Sequence, residues 1–259
     1  MHPGAWITWA TCAGIVAFTT TNPWYLAVLV AASWFVYAAH RVEGPAARSF
    51  RVFLLFGLVT MLVRTALVFF GTIDAASVAF AALEGARLAV ILVVFGTFNA
   101  VTDPFGVLRL APRRFHEPAL AAALALSIAP RTIASVRRVR EAQAMRGIVV
   151  HRWRTLPALV VPVLETGMEE AMTLAESMDA RGHGRGRRSR YRPQPWTSAG
   201  IATAMTAVAA AGVFVIASAR GLGDLHPSTD PLEWPRVAPA LVGTIIAVAI
   251  PGVFRRSGP

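Results

Sequence analysis

Six stretches of this 259-residue chain stay apolar for about the length a helix needs to cross a lipid bilayer. Such a helix takes roughly 17–25 mostly apolar residues, because a rise of about 1.5 Å per residue must cover some 30 Å of hydrocarbon. Residues 5–21, 22–39, 51–71, 83–101, 197–219 and 237–254 meet that demand. The second, NPWYLAVLVAASWFVYAA, carries Trp24, Tyr25, Trp34 and Tyr37, residue types that anchor at a membrane interface. The chain is 55% hydrophobic with mean hydropathy +0.54, against roughly 45–50% apolar residues in a soluble domain. The expected fold class is therefore all-α: a polytopic helical membrane protein with about six transmembrane helices, in a range of five to seven.

Arginines orient these spans. Arg41, Arg48 and Arg51 follow the second span, Arg109, Arg113 and Arg114 follow the fourth, and Arg255 and Arg256 follow the last. The connections at 72–82 and 220–235 are neutral or acidic on balance. The positive-inside rule then puts 40–50, 102–196 and the residues after 254 in the cytoplasm. The start, MHPGAWITWA, lacks a basic n-region, so the first apolar block is expected to be retained. Three regions result: transmembrane helices over 1–101, a cytoplasmic region over 102–196 and transmembrane helices over 197–259. Arg64 falls inside a span, where an arginine faces a bundle interior or a partner, or else snorkels.

The chemistry of the side chains excludes several classes. The formal net charge is +11, yet all 25 basic residues are arginine. Without lysine there is no P-loop lysine and no Schiff-base lysine. Cys12 is the single cysteine, and the six histidines are scattered without metal-ligand spacing. No cofactor or metal is expected on this chain, and no paired carboxylates lie inside a span. The arginine-rich stretch 185–192 has only Tyr191 interleaved, so it lacks the stacking pattern of a single-strand binder. A basic segment ahead of the span at 197 is accounted for by topology and anionic lipid, and no nucleic-acid partner is expected. A stand-alone membrane channel or secondary transporter is the alternative, although no inverted repeat is visible.

The region 102–196 is not a loop by composition. PALAAALALSIAPR, at 118–131, is apolar but short, and it runs on as TIASVRRVREAQAMRG without Gly or Pro until Gly147. A second helix is expected over 156–181, with Pro157 and Pro162 in its opening turns. Along it Val160, Leu164, Met168, Ala171, Met172, Ala175 and Met178 recur at three- and four-residue spacing and form one stripe. Gly167, Ala171 and Ala175 would let another backbone approach closely. Packing of the two helices on each other or on the membrane face explains this stripe without any partner.

Both helices end alike, in Ala144-Met145-Arg146-Gly147 and Asp179-Ala180-Arg181-Gly182. Arginine suits the negative end of the helix dipole, and glycine permits the left-handed turn that stops a helix. Guanidinium also offers a planar donor fork that fits a carboxylate.

With these two motifs the chain resembles the transmembrane T component of energy-coupling factor (ECF) transporters. The likeness covers most of residues 1–183 and is strongest over 127–147 and 162–184. FGTFNAVTDPFGVLRLAPRRF at 95–115 and His2-Pro3 add to it, while Met145 stands where alanine is usual and His183 where an aromatic is frequent. The resemblance implies a non-catalytic coupling subunit of an ABC-type importer in a bacterial cytoplasmic membrane. Two P-loop ATPase subunits, a homo- or heterodimer, would bind ATP and Mg. A small membrane S component would capture a vitamin or a transition-metal ion such as cobalt or nickel. Met145, Arg146, Gly147, Ala180, Arg181 and Gly182 would dock the ATPases. Val160, Leu164, Met168, Met172, Ala175 and Met178 would face the other coupling helix or the capture subunit.

Overall fold

The computed structural model describes residues 1–40, 45–70, 74–147, 156–183, 195–227 and 235–254. Among them the chain is helical, with no strand. In order the α-helices are α1 (Pro3–Phe18), α2 (Pro23–Ala39), α3 (Pro45–Ala66), α4 (Ala75–Val101), α5 (Pro104–Leu108), α6 (His116–Met145), α7 (Pro157–Ala180), α8 (Ser198–Ala219) and α9 (Pro239–Ala247). The all-α expectation holds. The arginine cluster at 185–192 lies outside the described residues, as do Arg41, Arg255 and Arg256.

The helix starts follow local chemistry. Proline opens α1, α2, α5, α7 and α9, where its missing N–H costs nothing. Asn22 Oδ1 accepts the Trp24 N–H, the Asp103 carboxylate accepts those of Phe105 and Gly106, and Thr197 Oγ1 accepts that of Gly200. Each cap satisfies donors that the first turn leaves free.

The chain divides into two compact units, residues 1–110 with 194–259 and residues 111–193. The first holds α1–α5, α8 and α9. Its core is built on Trp9, Val16, Tyr25, Leu29, Val94 and Phe214, all fully buried. The Tyr25 and Phe214 rings meet edge to face with centroids 5.8 Å apart, and Tyr25 Oη accepts the Ala238 N–H at 2.8 Å. Residues 19–22, between α1 and α2, are fastened to the segment after α8. Asn22 is fully buried and its Nδ2 donates to the carbonyls of Asp224 at 2.7 Å and Arg236 at 3.0 Å. Thr20 Oγ1 donates to Leu225 O at 2.9 Å.

Helices α3 and α4 pack at close range through glycine. A Cβ on Gly85 would stand 2.9 Å from Met61 Cα, and one on Gly96 would stand 2.7 Å from Phe53 Cβ. Away from α4, α3 exposes Val52, Leu55, Phe56, Leu58, Val59, Leu62 and Val63. An uninterrupted apolar face of that size is tolerated by lipid and not by water. The chain is thus a multi-pass membrane protein.

Four helical stretches are long and apolar enough to span a bilayer among the described residues: Ala46–Ala66, Ala75–Val101, Glu117–Met145 and Ser198–Ala219. The expected spans at 5–21 and 22–39 are helices of 16 and 17 residues, about 24–26 Å long. The expected span at 237–254 breaks after Ala247 and resumes as a 3₁₀ turn, Ile250–Gly252. Pro251 cannot continue the α-helical ladder. The Val248 carbonyl at the break accepts the Trp9 indole N–H at 2.9 Å, so irregular backbone inside the apolar layer keeps its hydrogen bond. In α6 the apolar run reaches only as far as Arg131, after which Arg137, Arg138 and Arg140 take over.

Arg64 of α3 lies beside Gly85, which stands between Glu84 and Arg87 in the sequence of α4. Arg87 Nη2 pairs with Glu84 Oε2 at 2.7 Å, and its guanidinium lies 5.1 Å from the centroid of the Phe18 ring. Arg64 is half-buried against Gly85 and makes no hydrogen bond or ion pair among the described residues.

Candidate functional site: two matching helix ends

The second unit, residues 111–193, contains α6 and α7. The two helices stop in the same way. Arg146 is the C-cap of α6 (φ −86°, ψ 8°) and Arg181 the C-cap of α7 (φ −83°, ψ 3°). Gly147 and Gly182 follow in the left-handed region, at φ 76° and 74°. The Gly182 N–H donates to Asp179 O at 2.8 Å and the His183 N–H to Met178 O at 3.0 Å. Those two bonds make a Schellman turn. At the first end the Gly147 N–H donates to Ala144 O at 3.0 Å, the same inner bond.

Met145, Arg146, Ala180 and Arg181 are exposed. Neither arginine forms an ion pair among the described residues. A Cβ added to Gly147 or Gly182 would meet nothing within 4 Å. The glycines are therefore required by backbone conformation and not by crowding. Each end presents a guanidinium on a sharply terminated helix, with its donors open to a carboxylate.

The end of α6 is joined to the start of α7. Pro162 sits inside α7, where it has no N–H for the Ala158 carbonyl four residues back. Gln143 Nε2 of α6 donates to that carbonyl at 2.9 Å. A side chain three positions before Arg146 thus repairs the gap that Pro162 opens. Ser135, Val136, Val139, Ala142 and Gln143 of α6 are half-buried, as are Ala158, Leu159, Val163 and Thr166 of α7. Sequence spacing missed Gln143, although Pro162 was the signal that one carbonyl needed another donor.

The apolar stripe of α7 lies elsewhere on the helix. Val160, Leu164, Met168, Met172 and Ala175 are exposed, Met168 by 67%, and Met178 is half-buried. No α7 residue is fully buried. Gly167, on the border of the stripe, has open space where a Cβ would stand. No group of three or more His, Cys, Asp or Glu that could hold a metal ion occurs among the described residues.

No family profile matches the chain. Over 127 residues it is 33% identical to the energy-coupling factor transporter transmembrane protein EcfT of Heliobacterium modesticaldum, a stretch that is 45% of this chain and 47% of that protein. Over 102 residues it is 30% identical to EcfT of Exiguobacterium sibiricum, 37% of this chain and 38% of that protein. The chain thus spans less than half the length of either curated relative.

Proposed function

We propose that this chain, whose two matches support an ECF-transporter T component, is the membrane coupling subunit of an ATP-driven importer. It catalyses nothing itself. Two cytoplasmic P-loop ATPases bind ATP and Mg and close on each other. The α6 and α7 ends, seated in grooves of those ATPases, carry the movement to a small S component that captures a vitamin or a transition-metal ion.

The observation that carries this reading is the pair of matching helix ends. Each has arginine at the C-cap, glycine at φ near +75° and no counter-ion among the described residues. A pair of equivalent plugs suits a pair of equivalent sockets. Helix termination with a dipole-compatible arginine would account for one such end; it does not call for both guanidinium groups to be left exposed and unpaired. Met168 and Met172 present adaptable apolar surface on α7, which fits a partner that shifts or exchanges.

The test is Arg146→Ala with Arg181→Ala in membranes of the source organism. A fully enclosed guanidinium–carboxylate pair costs about 2–5 kcal/mol when truncated, roughly 30-fold to several thousand-fold in affinity. The double variant should insert normally and lose its co-purifying ATPases. Wild-type ATPase yield with undiminished uptake would refute the assignment.

A further inference from the structure

We propose that residues 2–5 form a clasp that fixes, on one seat, the two points where the chain leaves and re-enters the transmembrane unit, with His2 and Trp196 as positioning residues. The chain leaves that unit after Leu110 and returns at Gln194. The segment between carries both arginine-glycine ends, so the proposal rests on the coupling role and specifies how motion would enter the membrane part.

The geometry is local and convergent. His2 caps α1: its Nδ1 accepts the Gly4 N–H at 3.1 Å, which fixes the imidazole plane. That ring stacks on the Trp196 indole with centroids 4.4 Å apart and planes 19° from parallel. Trp196 directly precedes Thr197, the cap of α8. In the first turn of α8 a Cβ on Gly200 would stand 3.6 Å from Ala5 Cβ and 3.8 Å from His2 N. The re-entry point is thus pressed on residues 2 and 5. The exit point meets residue 3: a Cβ on Gly106 would stand 2.9 Å from Pro3 Cγ. Helix α5 holds that position because the Asp103 carboxylate accepts two of its backbone N–H groups at 3.1 Å. Pro3, Ala5, Gly106 and Gly200 are buried.

Each contact alone is ordinary packing. Together they make one short segment, residues 2–5, the shared abutment for α5 and for the start of α8. A lever delivers displacement only where its attachment is stiff. If either attachment slid, movement of the coupling segment would be lost at the joint and not passed to the bundle.

The experiment separates the cap from the clasp. His2→Asn keeps a side-chain cap and loses the stack; His2→Phe keeps a stacked ring and loses the cap; Trp196→Ala removes the opposite face. Amide hydrogen exchange is measured on the full chain over 104–110 and 198–202, alongside ATPase co-purification and uptake. His2→Asn and Trp196→Ala should each raise exchange in both segments by about threefold or more, while His2→Phe should not. Co-purification should stay at wild-type level while uptake falls at least about fivefold. A short thiol-to-thiol cross-linker between His2→Cys and Trp196→Cys, in a Cys12→Ser background, should restore uptake. Unchanged exchange over 104–110 in Trp196→Ala, or wild-type uptake in His2→Asn, would overturn the clasp. Loss of ATPase co-purification from the unmodified chain would instead overturn the coupling role, leaving the exchange result to decide the clasp. If Trp196→Ala fails to fold, the contrast in exchange between His2→Asn and His2→Phe decides the clasp.

Discussion

Replacing Gln143 by Leu should loosen the start of α7, and only while Pro162 is present. The Gln143 Nε2 bond to Ala158 O is 2.9 Å long and half-buried. A neutral hydrogen bond contributes about 0.5–1.5 kcal/mol net, and stranding a buried carbonyl costs about 1–3 kcal/mol. Partial exposure of Ala158 lets water repair some of that loss, so a value near 1 kcal/mol is expected, roughly a fivefold change in an opening equilibrium. Hydrogen exchange of the Val160–Thr166 amides should therefore quicken about fivefold in Gln143→Leu. In a Pro162→Ala background the new amide at 162 reaches Ala158 O by the ordinary helical bond. There Gln143→Leu should change exchange little. The coupling of the two substitutions in a double-mutant cycle then equals the repaired bond. Equal quickening in both backgrounds would refute the reasoning, since Gln143 would then act through something other than the carbonyl that Pro162 leaves free.

Other outcomes follow from the same structure. Gly182→Ala has space for its Cβ but must hold φ 74°, at about 1–2 kcal/mol; it should fray the α7 end by circular dichroism and exchange, with Gly182→Asn milder, and equal effects would exclude backbone strain as the cause. Asn22→Leu removes the fully buried amide that serves the part-buried carbonyls of Asp224 and Arg236, so thermal unfolding in detergent should show a loss of about 1–3 kcal/mol; a loss below about 0.5 kcal/mol would mean water replaces the amide there. Gly85→Ala should separate α3 from α4, because its Cβ would lie 2.9 Å from Met61 Cα, at a cost of about 1–3 kcal/mol. Gly167→Ala, with nothing within 4 Å, should instead stabilise α7 by about 0.5–1 kcal/mol, and the opposite order of these two glycines would refute the packing between α3 and α4.

The fold class was readable from the chain because bilayer thickness converts directly into a count of apolar residues. The two helix ends were readable for a similar reason: arginine beside glycine acts through local backbone conformation, and φ of 76° and 74° at Gly147 and Gly182 follows from residue type. Span boundaries were less legible. Hydropathy does not register where a helix meets its cap, so the expected start at 83 became a helix from Ala75, and the expected span at 237–254 hid the break at Val248 that Trp9 makes tolerable.

The sequence by itself determined an all-helical membrane chain, an arginine-only basic complement and two like-ended helices, because each depends on composition or on neighbours within one turn. The tertiary structure decided which face of α7 is covered, which donor answers Pro162, and that residues 2–5 carry both α5 and the start of α8. Those facts rest on meetings between residues far apart along the chain: Gln143 with Ala158, Trp9 with Val248, His2 with Trp196. No periodicity records such meetings, since a half-turn difference in how a helix is rotated changes every one of them and leaves its sequence pattern the same.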